Sequence, residues 1–227
     1  MKEGVNLTEQ QVSALPPTHG PSKVWKYAFL ALMVIVVIFA GFVVLGVSTA
    51  SYSGSSISDD VDRPTQGFVG APITIIEYGD FQCPFCARAT QSFKEAMVPY
   101  ADRIHIEYRH FPLYQIHRRA VPSAVASECA QDQDKFWEYH DELYKNQANL
   151  EDKDLLRYAR TIGLDVGVFW DCFTSQHHLA KVNRDYEQGV DDGVRSTPTF
   201  FINGKRFQGA LDRDQWNSIF SHLTTGG

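Results

Sequence analysis

The sequence has 227 residues, enough for one well-packed domain once an apolar N-terminal segment is set aside, and tight for a second core. A hydrophobic content of 44%, with aromatic residues at 13%, excludes a disordered or collagen-like chain. The formal charge of -6 is modest, its acidic residues are spread along the chain, and basic residues form no long run, so nucleic-acid binding has no electrostatic footprint.

Residues 1–26 carry Pro16, Pro17, Gly20 and Pro21 among polar side chains and are read as a disordered cytoplasmic arm. Residues 27–47, YAFLALMVIVVIFAGFVVLGV, contain no charge, and as a helix rising about 1.5 Å per residue they span a hydrocarbon layer of roughly 30 Å. Lys23 and Lys26 flank this segment on one side, and Asp59, Asp60 and Asp62 follow on the other. The positive-inside bias therefore predicts a single-pass cell-membrane protein with a cytoplasmic N-terminus and residues from 51 onward outside. The length of the run favours an uncleaved signal-anchor, with cleavage near Ser48-Thr49-Ala50 as the alternative. In either case the folded part meets an oxidising compartment.

Residues 48–66, rich in Ser and Asp, read as a flexible linker, and the globular domain is expected over 67–225. PITIIEY, residues 72–78, predicts a buried strand that ends in Gly79-Asp80. A helix should open at Pro84, whose missing N–H is not needed at a first helical position, and run to about Met97. RIHIEYRHF, residues 103–111, predicts a second strand with Ile104, Ile106 and Tyr108 on one face. Residues of about 114–193 show helical spacing only, with breaks at 146–149 and 163–167, and read as an inserted helical subdomain. Phe136, Trp137, Tyr139 and Tyr144 belong to its packing. The strand Thr199-Phe200-Phe201-Ile202, the turn Asn203-Gly204 and the return Lys205-Arg206-Phe207 form a hairpin, and a last helix follows Asp212 with Trp216, Ile219, Phe220 and Leu223 inside. The fold class is α/β, a central sheet covered by helices.

Cys83-Pro84-Phe85-Cys86 falls where the first strand hands over to the first helix. The spacing lets two thiols meet across one helical turn, and the helix N-terminus favours a thiolate, bringing such a cysteine from about 8.5 down to roughly 3.5 to 7. Cys83, the more exposed, is the expected nucleophile. Half a zinc site is the competing reading, but no second C-x-x-C exists, no H-x3-5-H pair exists, and His177 and His178 are adjacent, so no metal is expected. An inert structural disulfide is the other alternative. The histidines at 105, 110, 117, 140, 177, 178 and 222 read as surface or packing residues.

EYGDFQCPFCAR and the downstream Ser196-Thr197-Pro198-Thr199-Phe200-Phe201 resemble the thioredoxin superfamily, and within it the DsbA-like disulfide oxidoreductases with a helical insertion. The likeness spans roughly residues 67 to 225 and implies a thioredoxin-like mixed sheet. It also implies that Pro198 is a cis-proline packed against the disulfide and that Thr197 offers backbone contacts to substrate. Glu77, six residues before Cys83, matches by position the buried acid of the superfamily, which exchanges a proton with Cys86. Asp80 is the alternative acid. Pro84-Phe85 lacks the histidine of strongly oxidising members, so the resemblance does not fix the potential.

Cys129 and Cys172 remain for each other once the redox pair is taken, and a crosslink over that length contributes up to about 4 kcal/mol; two free thiols are the alternative.

The expected function is thiol–disulfide exchange without a cofactor, in the direction of disulfide formation in unfolded exported proteins, with re-oxidation by a quinone-linked membrane partner. A reductase or isomerase, and a non-catalytic binding or chaperone module, are the competing readings.

Overall fold

A computed structural model of the chain describes residues 63–225. The segment expected to cross the membrane, 27–47, and the cytoplasmic arm lie outside the described residues. Among the described residues no helix is long and apolar enough to cross a membrane.

Five strands form one sheet in the order β1-β3-β2-β4-β5. They are β1 (Thr65–Gly67), β2 (Ile73–Gly79), β3 (Ile104–His110), β4 (Thr199–Ile202) and β5 (Lys205–Gln208). β2 and β3 pair in parallel with Glu77 opposite Tyr108, and the other neighbours are antiparallel. Helix α1 (Pro84–Met97) connects β2 to β3, continued by a 3-10 turn (Val98–Arg103) that carries the chain past Pro99. The helical insertion holds α2 (Ala120–Gln131), α3 (Phe136–Lys145), α4 (Asp152–Thr161), α5 (Val166–Thr174) and α6 (Leu179–Asp191), and α7 (Arg213–Thr225) closes the chain.

Side chains alternate across the sheet, and both faces are buried. Ile73, Ile75, Ile104, Ile106, Phe200 and Ile202 face α1 and α7, where Trp216 packs edge-on against Phe93 and Phe200. The opposite face carries Ile76, Tyr78 and Phe201. On that side Glu107 and Arg109 of β3 are buried like its isoleucines, because they pair with each other, Glu107 accepting from Arg109 at 2.6 Å; beside them Arg63 reaches Asp185 of α6 at 3.0 Å. The hairpin turn places Asn203 and Gly204 at φ 46° and 78°, the conformation that favours this dipeptide.

Two boundaries differ from the sequence expectation. The sheet takes in residues before 67: Thr65 and Gln66, expected in the linker, pair with β3, and the Thr65 carbonyl accepts from Trp137 Nε1 at 2.9 Å. This strand is three exposed residues long and has no apolar run, so it leaves no periodic signal. The insertion also breaks at 132–135 and 175–178, where Asp134 and Gln176 adopt φ 58° and 56° without the glycine or proline that announces such a turn.

Phe136, Tyr139, Leu143, Leu155, Phe169 and Val182 of the insertion form one core with Phe81, Cys83, Cys86 and Tyr108, so the insertion packs directly on the dithiol. Cys129 of α2 and Cys172 of α5 are joined across it, 43 residues apart in sequence.

Candidate active site

The junction between β2 and α1 is shaped by Asp80. Its carboxylate accepts from the backbone N–H of Gln82 (2.7 Å) and Leu113 (2.9 Å) and bonds His117 Nδ1 (2.8 Å), while its carbonyl accepts from the Cys83 N–H (3.0 Å). Gln147 Nε2, arriving from the loop after α3, donates to the carbonyls of Phe81 (2.8 Å) and Cys83 (2.9 Å). Cys83 then occupies the N-cap of α1 in extended conformation, Pro84 takes the first turn, and Cys86 lies one turn inward.

Both thiols are free, with Cys83 at 3% exposure and Cys86 at 0%. The Thr197–Pro198 peptide bond is cis, and it brings the Thr197 carbonyl oxygen to 3.4 Å from Cys83 Sγ. The structure thus gathers Cys83, Cys86, Pro84, Phe85 and the 197–198 loop at one point, although 114 residues separate Cys83 from Thr197. Phe85 is half exposed, with the Arg88 guanidinium 4.3 Å above its ring.

The two thiols titrate in opposite directions. A hydrogen bond from the Cys86 thiol is the largest cause that pulls Cys83 down to about 5; the backbone N–H groups of Cys86 and Phe85 add to it, against burial. The sequence expectation rested on the helix N-terminus, whose N–H groups contribute after the partner thiol. Burial first, then the hydrogen bond to Cys83 and the charge on it, push Cys86 well above its ordinary value. Glu77 is buried with Oε1 lacking any hydrogen bond, and burial raises its carboxyl to about 8. Asp80, the other candidate acid, is instead committed to the turn by its three hydrogen bonds. A neutral Glu77 beside a thiol that must gain or lose a proton is a general acid–base arrangement.

Sequence reasoning missed Gln147 and read His117, the partner of Asp80, as a surface or packing residue, since neither falls in a motif. Among the described residues the one group of candidate metal ligands is Cys129, Cys172 and His178. Its two sulfurs are bonded to each other, so this donor set does not fit a resident metal.

The sheet order, the dithiol at a helix N-terminus and the cis-proline facing it define the class: a thioredoxin fold carrying a C-x-x-C site. A family model described as Thioredoxin matches residues 59–221, and the chain belongs to that family. Among curated proteins it is similar to the Na(+)/H(+) antiporter NhaA 1 of Mycolicibacterium gilvum, 41% identical over 150 residues, which are 65% of this chain and 24% of the antiporter. The chain thus spans about a quarter of the length of the curated relatives it matches. Among solved structures, Wolbachia pipientis alpha-DsbA1 superposes with a TM-score of 0.66 at 22% identity over 77% of this chain and 96% of that one. A thioredoxin-like oxidoreductase from Silicibacter pomeroyi gives 0.65 at 21%, over 74% and 95%. These two likenesses show the shared fold.

Proposed function

We propose that this protein is a membrane-anchored thiol–disulfide oxidoreductase that forms disulfides in unfolded proteins exported to the outer side of the cell membrane. The observation that carries the reading is the Cys83 thiol, lowered to about 5 at the head of α1 and facing the Thr197 carbonyl. In the oxidised enzyme a substrate thiolate attacks Cys83 Sγ and the Cys83–Cys86 bond breaks. Cys86 leaves as a thiolate and takes a proton from Glu77. A second substrate thiolate then attacks the substrate sulfur of the mixed disulfide and expels the Cys83 thiolate, so the substrate loses two electrons and the enzyme gains them. The low pKa makes Cys83 a good leaving group in that last step, which favours the oxidising direction.

The residues around Cys83 support a polypeptide substrate, because the Thr197 backbone and the exposed Phe85 ring offer an extended chain a hydrogen-bonding and an apolar contact. The uncharged apolar run of residues 27–47 supports placement at the membrane, and a quinone-linked membrane partner is proposed to re-oxidise the dithiol. The antiport activity of the curated relatives is not carried over, since the match covers a quarter of their length.

The test is a Cys86→Ser variant incubated with reduced, unfolded exported protein after activation of Cys83 as a mixed disulfide with glutathione. Covalent complexes through Cys83 are expected, and none should form when Cys83 is also replaced. A reduction potential of about -120 to -180 mV would support the oxidase, whereas about -270 mV would assign the site to a reductase.

A further inference from the structure

Each turnover puts a proton on Cys86 or takes one off, yet this sulfur has no exposed surface. Glu77 is the immediate exchanger, and it is itself buried, so the carboxyl needs a route to water. This question rests on the reading of the Cys83–Cys86 pair given above.

The surroundings of the pair supply a chain of hydroxyls. Tyr108 stands opposite Glu77 in the parallel register of β2 and β3. Its hydroxyl crosses the end of β2 over Gly79, where a Cβ would fall 2.3 Å from the Tyr108 oxygen, so glycine is the residue that lets it pass. The Tyr108 hydroxyl then meets the Tyr144 hydroxyl at 2.8 Å, both of them buried. Tyr144 is 7% exposed, and it lines a surface cleft of about 460 Å³ between α1 and α3 with Arg88, Lys94, Asp141 and Lys145. At the inner end, Glu77 Oε1 is a buried acceptor with no hydrogen-bond partner.

We propose that the Tyr108–Tyr144 hydroxyl pair is the proton path between the buried Glu77–Cys86 couple and the cleft beside α1. When Cys86 leaves as a thiolate, Glu77 gives it a proton. Tyr108 then passes its hydrogen toward the carboxylate as Tyr144 passes one to the Tyr108 oxygen, and water in the cleft reprotonates Tyr144. The path runs in reverse when Cys86 must be deprotonated. The net event is one proton transferred, with no electron moved and no bond to carbon or sulfur altered along the path. Burial raises both phenols well above their ordinary value, so they remain neutral and act by exchange. The charges of Glu77 and Cys86 act on both tyrosines. Asp80 acts on Tyr108 from the β2–α1 turn, and the His140 ring, kept neutral by burial, packs on Tyr144 at 4.7 Å.

The experiment mixes the reduced protein with oxidised glutathione and follows, by rapid acid quench, formation of the Cys83 mixed disulfide and its resolution by Cys86. Tyr144→Phe keeps the ring and removes the hydroxyl. It should slow resolution roughly tenfold or more while leaving the Cys83 alkylation titration unchanged, and added imidazole should restore the rate. A purely structural role would not respond to imidazole. Tyr108→Phe serves as the second variant, with the same expectation, should the first unfold. Resolution at the wild-type rate in both variants overturns the path and leaves the redox assignment standing. Failure of the wild-type protein to form any mixed disulfide overturns both.

Discussion

Cys83 and Cys86 are identical residues three apart in sequence, and their environments drive their chemistry apart. One sits at the cap of a helix with donors converging on its sulfur, and the other lies under it in a sealed pocket where an anion is costly. Alkylation of the reduced protein by iodoacetamide should therefore follow a single titration with its midpoint near 5, from Cys83, with Cys86 silent below the ordinary thiol range. Cys86→Ala removes the largest of the donors and should move that midpoint upward; a midpoint that stays put would return the credit to the helix backbone. The reactive pair was legible because it depends on spacing and on the handover from strand to helix. Gln147 was not, since it reaches the Cys83 carbonyl from 64 residues away and nothing in its own neighbourhood marks it.

At the scale of elements, β2, α1, β3, the β4–β5 hairpin and α7 follow local rules, and their limits lie within one or two residues of the periodicity in the sequence. The insertion is harder, because two of its turns use Asp134 and Gln176 in the left-handed region, where no glycine announces them. The Cys129–Cys172 bond ties the first and fourth of its helices and closes 43 residues. Replacing both cysteines with alanine should cost up to about 4 kcal/mol by the loop-entropy model, read as a lower urea midpoint at unchanged slope. The loss should fall in the insertion, so amide exchange should quicken in α2 and α5 before it does in the sheet. Uniform loss of protection would mean that the insertion and sheet unfold as one unit.

For the whole molecule, proton linkage connects the site to stability and to redox poise. Cys83 titrates near 5 in the folded reduced protein and near its ordinary value when unfolded. Its contribution to the reduced form is therefore present above the unfolded pKa and is lost as the pH falls through about 5. Glu77 has the opposite sign, losing its contribution as the pH rises through about 8, but it is present in both redox forms and largely cancels in their difference. Above pH 5 reduction takes up one proton, on Cys86, and the potential should fall by about 30 mV per pH unit; below pH 5 it takes up two, and the slope should approach about 59 mV. Glutathione equilibria measured from pH 4 to pH 8 locate the break. A constant slope of about 59 mV across the range would show that Cys83 is protonated throughout.

The sequence by itself determined the elements of the sheet, the place of the dithiol and the hairpin, because each follows from steric preferences within a few neighbouring residues; that Pro198 faces the site was implied by the resemblance alone, since 114 residues separate Cys83 from the neighbouring Thr197. Tertiary structure alone decided which acid lies free beneath Cys86. Asp80 and Glu77 are both carboxylates near the motif, but only folding gives Asp80 three partners and Glu77 Oε1 none. Tertiary structure likewise brought Thr197, Gln147 and Tyr144 to the site from distant parts of the chain. Burial and hydrogen bonding between remote residues depend on the packing of several elements at once, and no local pattern encodes that.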